Sequence, residues 1–306
     1  MASVQLPAIS GTTQLLAVLG DPVRHSLSPA MHNAALQTLG LNWVYLALPV
    51  APEKLAVLVE SLEAIGCRGL NVTIPHKQTV AALCRELSPL AQRVGAVNTL
   101  VPLAGGGWHG TNTDVEGFLA PLRDGAWGGK EALVLGCGGS SRAVVAALVE
   151  LGLERITVAA RRRESLDAFT ADCRAWAPQL RTLEWSGDAT AATSPLLPVL
   201  AHAALVVNTT PVGMASASDP AAAGQCPLSA AELEALDPAA SVYDLIYIPR
   251  PTRLLQAAAN RGCRTYDGLE MLVQQGAAAL RLWSSSDTVP VAAMRKAALR
   301  QLEGAH

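Results

Sequence analysis

The chain has 306 residues, half of them hydrophobic, with a formal net charge of only −2. That length suits two domains that each bury a core, and a balance without runs of like charge speaks against nucleic-acid or membrane-surface partners. Met1 to Gln14 lacks the charged start and apolar core of a signal peptide, and no apolar run approaches the ~18–20 residues of a membrane span, so a soluble, cytoplasmic protein is expected.

Leu15 to Gly20 (LLAVLG) is wholly apolar up to its glycine, the mark of a buried parallel strand. A polar loop from Asp21 leads to Ser28, placed as an N-cap before Pro29, and to a helix that Gly40 ends. Trp43 to Val50 reads as a second strand and Pro52 to Ile65 as its helix, stopped by Gly66. Gly69 to Ile74 is a third strand, and Pro75 starts a further helix at about His76. Strand and helix thus alternate, which implies a parallel sheet with crossover helices. The polar residues Asn71, Thr73 and Lys77 gather where this third strand ends, the end at which α/β sheets hold ligands. A lysine partly shielded there is suited to proton transfer; the plainer reading is a buried amide, a strand-end threonine and a solvated lysine.

Ala96 to Leu103 and Trp108 to Thr113 flank Ala104-Gly105-Gly106-Gly107 as a hairpin. Asp114 opens the next helix, with simple capping as one of its two readings. Gly125 to Lys130 is a glycine-rich joint and the expected domain boundary. Beyond it, a buried strand (Glu131 to Gly136) enters Gly136-Cys137-Gly138-Gly139-Ser140-Ser141-Arg142 and an apolar helix. Strand, glycine turn and helix N-terminus in that order are what a nucleotide pyrophosphate needs. Ser141 stands where the usual fingerprint has its last glycine, so the context carries this reading more than the motif does.

The strand Arg155 to Ala160 ends in Arg161-Arg162-Arg163, where an NAD-binding unit places an acid. Guanidinium groups there suit a 2′-phosphate and tilt the reading to NADP; a solvated basic helix start is the alternative. A helix from about Glu164, a weak strand near Arg181 to Trp185, an irregular stretch from Ala189 to Pro198 and a strand from Leu205 follow. Ser216 to Gln225 reads as a mobile loop, Ser229 with Glu232 as a capping box, and Ser241 to Tyr247 as the last strand of this domain. Helices from about Thr252, Leu269 and Val291 complete the chain. The six cysteines (67, 84, 137, 173, 226 and 263) include no C-x-x-C pair and read as reduced thiols. The six histidines show no ligand spacing, so no metal is expected.

Several of these stretches occur together, and in this order, in one family. Ser26-Leu27-Ser28-Pro29, Asn71 to Lys77, Gly95 to Thr99, Gly110 to Asp114, Gly136 to Arg142, Asn208 to Met214, Tyr243 to Tyr247, Asp267-Gly268 and Met271 to Gln275 make the chain resemble shikimate dehydrogenases over about Leu16 to Ala298. The resemblance implies an α/β fold of two domains. One is a substrate-binding domain on a parallel or mixed sheet (1–124 with about 269–306). The other is a Rossmann-like NADP-binding domain (125–268), with the C-terminal helices returning to the first. It implies NADPH-dependent reduction of 3-dehydroshikimate to shikimate, with Lys77 and Asp114 as the catalytic pair. Ser26, Ser28 and Thr73 would take the substrate carboxylate, and Asn71, Asn98, Asp114, Tyr247 and Gln275 its hydroxyls and ring. Gly136, Gly138, Gly139, Ser140, Arg161, Arg162, Leu245 and Gly268 would address NADP. A monomer or homodimer follows, without nucleic acid. Relatives that accept quinate and NAD supply the alternative activity, and a non-catalytic, cofactor-loaded sensor of a shikimate-like ligand is the rival from another class. The family's Asn-Arg-Thr after the second cofactor-domain strand is Ala160-Arg161-Arg162 here, and a later arginine of that motif is Ser165, which leaves Arg162 or Arg163 to replace the lost contact.

Overall fold

The computed structural model describes residues 9–185, 194–215 and 219–304. Residues up to Gly117, together with those from Leu272 onward, form one compact unit, and Phe118–Met271 form a second.

The first unit is built on a six-stranded mixed sheet in the order β2-β1-β3-β5-β6-β4. Its strands are β1 (Gln14–Gly20), β2 (Trp43–Pro49), β3 (Gly69–Val72), β4 (Glu86–Leu87), β5 (Thr99–Pro102) and β6 (Trp108–Thr111). Its helices are α1 (Ser28–Thr38), α2 (Leu55–Ala64), α3 (Pro89–Val94) and α4 (Asp114–Leu119), the last of which runs across the division between the units. β1 runs parallel to both β2 and β3, and the last five residues of β1 are buried. A continuous apolar run is what a central strand covered on both faces requires. The glycine hairpin joins β5 to β6 antiparallel, which makes the sheet mixed.

The second unit carries an all-parallel sheet in the order β12-β11-β10-β7-β8-β9. Its elements are β7 (Glu131–Leu135), α5 (Gly139–Glu150), β8 (Arg155–Ala160), α6 (Arg163–Cys173), β9 (Leu180–Glu184), α7 (Leu197–Leu200), β10 (Ala203–Asn208), α8 (Ala230–Glu234), β11 (Ser241–Asp244), α9 (Arg253–Asn260) and β12 (Arg264–Tyr266). The chain closes with α10 (Gly268–Ser284) and α11 (Val291–Glu303). From Leu272 onward these helices pack in the first unit. Trp283 Nε1 donates to the Leu100 carbonyl at 3.0 Å, over a Gly69 that has no side chain to obstruct the indole. α11 lies on α1 rather than on the sheet, with Met294 fully buried.

Several expectations shift. No α-helix follows Pro75: the His76 N–H turns back to the Thr73 carbonyl (3.0 Å), and only a short 3₁₀ segment, Thr79–Leu83, forms before Arg85 bonds to the Trp108 carbonyl. β-branched Thr79 and Val80 and the pull of that edge pairing outweigh helix formation. Ser28 is not the N-cap of α1. Leu27 holds that position, and the Ser28 N–H donates to Ser26 Oγ at 3.2 Å.

The glycine joint at 125–130 lies inside the second unit. Trp127 is buried with its indole N–H on the Leu122 carbonyl (2.7 Å), Gly129 bonds to Gly152, and Glu154 bonds to Lys130. Those bonds staple the segment to the turn before β8, so the division falls earlier, at Gly117. Phe118, just past it, stacks on Tyr243 of the second sheet, with ring centroids 4.8 Å apart. Ser241 to Tyr247 is not the last strand, because β12 adds an edge pairing to β11. Its three residues are too few and too polar to show a period, as are the two of β4. Residues 189–193, of the stretch read as irregular, and 216–218, of the one read as a mobile loop, lie outside the described residues, while Pro220–Gly224 is a 3₁₀ turn capped by Asp219.

Candidate active site

The site in the first unit is assembled at the carboxyl ends of β1 and β3. These strands are parallel and in register, Leu19 opposite Val72, so the loops that leave them emerge side by side. The two loops are tied together where the Asp21 N–H meets the Ile74 carbonyl at 3.0 Å. Gly20 provides the room: a side chain there would run into the Thr73 methyl. Ser26 comes from the first loop and Ser28 from the start of α1; Asn71, Thr73 and Lys77 come from the end of β3 and its turn. His76 is buried and its Nε2 sits 2.8 Å from the Val50 carbonyl, which fastens the same turn to the end of β2.

Lys77 Nζ donates to Asp114 Oδ2 at 2.6 Å, and the two side chains keep only 18 and 8 % exposure. Removing either partner of an ion pair this shielded would leave a charge stranded away from water, and the pairing fixes the ammonium's direction. Asp114 is the first residue of α4, and its N–H goes to Asn112 Oδ1 (3.0 Å), so the carboxylate is free to hold side chains. Its other oxygen accepts from Asn98 Nδ2 at 2.8 Å, and Asn98 Oδ1 accepts the Thr113 N–H at 2.7 Å. Gln275, on α10, brings its Oε1 to 3.5 Å from Asn98 Nδ2. Asn71 donates to the Asn98 carbonyl and to Thr99 Oγ1, both at 3.1 Å. Lys77, Asp114, Asn98, Asn71 and Gln275 therefore form one connected polar cluster, with Ser26 and Thr73 on the neighbouring loops and Ser28 at the start of α1. Tyr247 belongs to the second unit, in the loop after β11, with its phenol pKa raised by burial.

In the second unit the turn after β7 has the geometry of an anion cradle. Gly136 adopts φ +103°, a conformation that side-chain-bearing residues rarely take. A side chain on Gly138 or Gly139 would meet nothing within 4 Å, so the space before the N-terminus of α5 is open. Ser140 is partly exposed in the first turn of α5. Ser141 is buried, and its hydroxyl lies 2.7 Å from Thr209 Oγ1, tying the glycine turn to the loop after β10. The serine that stands at the fingerprint's last glycine position also accepts the Gly138 N–H at 3.1 Å. Arg161 and Arg162 are exposed and, among the described residues, have no acidic partner. Arg163 instead pairs with Asp167 at 3.1 Å. Gly268 is required by contact, since a side chain there would collide with the Leu245 carbonyl.

One buried carboxyl went unassigned in the sequence. Asp244 is fully buried at the end of β11 and accepts from Asn208 Nδ2 (3.0 Å), the Ile246 N–H (3.1 Å) and Thr252 Oγ1 (2.7 Å). It joins the loops after β10 and β11, and burial pushes its pKa up to about 6. An aspartate inside the otherwise apolar SVYDLIY was the signal.

Comparisons with known proteins give the family. Residues 18–100 match the family model of the shikimate dehydrogenase substrate binding domain, and 268–299 that of the shikimate 5′-dehydrogenase C-terminal domain. The NADP(+) shikimate dehydrogenase of Synechococcus sp. (strain JA-2-3B'a(2-13)) is 51% identical, covering 96% of this chain and 98% of its own. The shikimate 5-dehydrogenase of Thermus thermophilus, solved with NADP(H) and shikimate, is 38% identical with a TM-score of 0.79, over 94% of this chain and 99% of its own. A Corynebacterium glutamicum quinate dehydrogenase solved with NAD is 31% identical with a TM-score of 0.81, over 94% of this chain and 99% of its own. With half its residues shared over nearly its whole length, this chain belongs to the shikimate dehydrogenase family.

Proposed function

We propose that this protein catalyses the reversible NADPH-dependent reduction of 3-dehydroshikimate to shikimate, a step toward chorismate and the aromatic amino acids. The observation that carries the reading is the shielded Lys77–Asp114 pair, held by Asn98 at the carboxyl ends of β1 and β3. NADPH supplies the hydride when bound. Lys77 meets the negative charge that develops on the ketone oxygen and gives it a proton, and in the reverse direction it takes that proton back. Its partial exposure provides a route for recharging from water. Asp114 aims the ammonium, and Asn98 aims Asp114. Ser26, Ser28 and Thr73 bind the substrate carboxylate; Asn71, Asn98, Tyr247 and Gln275 bind hydroxyls and ring.

Residues up to Gly117 with those from Leu272 form the substrate unit, and Phe118–Met271 the cofactor unit. There the backbone of Gly136, Gly138, Gly139 and Ser140 at the N-terminus of α5 suits the pyrophosphate, and Leu245 and Gly268 line the cofactor. Arg161 and Arg162 bind the 2′-phosphate. Arg162 rather than Arg163 replaces the family's missing arginine: Arg163 is engaged by Asp167, whereas Arg162 is close enough to the glycine turn to oppose the burial that raises the Cys137 thiol pKa.

All six cysteines are free thiols, and among the described residues no helix is long and apolar enough to cross a membrane. We assign the protein to the cytoplasm. The alternative activity, on quinate with NAD, is disfavoured by the missing acid at the end of β8. The non-catalytic sensor is disfavoured by the intact Lys77–Asp114 pair. An absorbance assay at the NADPH band decides among the three. Loss of NADPH on adding 3-dehydroshikimate is expected. Preference for NADH and dehydroquinate supports the first alternative, and binding of both ligands without turnover supports the second.

A further inference from the structure

We infer that Tyr45, a fully buried residue on the edge strand β2, is a positioning residue for the substrate site that acts through Asn71. The inference rests on the reading of Asn71 as a substrate contact. Tyr45 Oη donates to Asn71 Oδ1 at 2.7 Å. The two amide hydrogens of Asn71 are already given to the Asn98 carbonyl and to Thr99 Oγ1. An amide oxygen has two lone pairs, so the phenol leaves one acceptor position on Asn71 for a substrate hydroxyl. The Ser28 hydroxyl also neighbours the phenol oxygen. Tyr45 thus lies between a group read as holding the substrate carboxylate and one read as holding its hydroxyls.

The residue is held as a fixed support would have to be. β2 is the sheet edge and has β1 on one side only. On the open side Asn33 of α1 takes both backbone groups of Tyr45: its Nδ2 donates to the Tyr45 carbonyl, and its Oδ1 accepts the Tyr45 N–H, each at 2.9 Å. The phenol ring stacks face to face on His32, with centroids 4.2 Å apart and planes 6° apart. His32 in turn lies under Gly276, next to Gln275, where a side chain would press on its ring. Phenylalanine would fill the same volume and keep these contacts. The hydroxyl alone addresses Asn71.

Tyr45→Phe separates the two roles. Expected is a rise of about five- to tenfold in KM for shikimate, with kcat within twofold and KM for NADP unchanged, on the scale of one lost buried hydrogen bond. In an Asn71→Ala background, which itself raises KM for shikimate, Tyr45→Phe should add nothing further. If the variant is too unstable for kinetics, the rises in Tm induced by shikimate and by NADP report the same two affinities. An unchanged shikimate KM in Tyr45→Phe, beside a raised one in Asn71→Ala, overturns the role of Tyr45 and leaves the site reading intact. Equal weakening of both ligands, or additive effects in the double variant, shows a merely structural tyrosine and also overturns it. No effect of Asn71→Ala refutes the site reading and this inference with it.

Discussion

Around Lys77 the polar groups are held largely by other side chains: Asp114 by Asn98, Asn98 by the Thr113 hydroxyl, Asn71 by Tyr45 and Thr99. In the turn after β7 the backbone does this work, through a glycine at φ +103° and an open helix N-terminus, while Arg161 and Arg162 stand exposed without acidic partners among the described residues. The contrast fits the chemistry we propose for each place. A proton donor must be aimed to within tenths of an ångström, which takes a connected network. A phosphate is large, charged and bound by several N–H groups at once, so an uncluttered cradle and exposed cations suffice. Loss of one group should therefore cost rate or substrate affinity in the first unit and cofactor affinity in the second.

The two units also bury titratable groups of opposite sign, and this gives the largest stability effect. His32 is fully buried, with no hydrogen-bond partner on either ring nitrogen among the described residues, and burial lowers its pKa from 6.5 to about 3. Its folded-state value is depressed, so its contribution is full above 6.5 and is lost as pH falls toward 3, by up to about 5 kcal/mol. Asp244 is raised from 3.8 to about 6, so its contribution is full below 3.8 and is lost as pH rises through 6, by about 3 kcal/mol. Between pH 4 and 6 the two oppose each other. Calorimetric melts of Asp244→Asn should show Tm rising with pH across that window, and those of His32→Phe should show it falling. Parallel slopes in the two variants would remove this part of the contrast.

The arginines give the next effect. Arg161→Ala should weaken NADP by about 1.5–3 kcal/mol while leaving NAD unchanged, and Arg162→Ala should act in the same direction. Arg163→Ala, already paired with Asp167, should change neither. Cofactor titrations followed by NADPH fluorescence test all three, and an equal loss for NAD would break the assignment. Smaller still is Gln275→Ala, which should raise KM for shikimate several-fold and leave KM for NADP in place. A shift confined to the cofactor constant would remove Gln275 from the substrate cluster.

Much of the fold was legible in the chain because several signals agreed at each place. LLAVLG and the strand, glycine turn and helix after Glu131 each carried composition, order and spacing that match the elements found, while the arginines kept two readings. The turn at Pro75 was not legible, because a proline before a helical-looking run reads as a helix start unless the pairing of Arg85 with Trp108 is known. β4 and β12 were too short for any period. Tyr45 reads as an ordinary strand aromatic; only the fold places its hydroxyl on an asparagine 26 residues away. Asp114 kept two readings in the sequence, and the bond to Lys77, 37 residues distant, is a fact of tertiary structure.

The division of labour we propose between the units is tested most directly by Lys77→Ala in a single-turnover experiment with shikimate and NADP+. Both ligands should bind nearly as they do to the wild type, while NADPH forms about 10²–10⁴-fold more slowly, the scale of a lost general acid–base group. NADPH formation at the wild-type rate, or loss of shikimate binding with the rate preserved at saturation, would contradict the central role given to the Lys77–Asp114 pair.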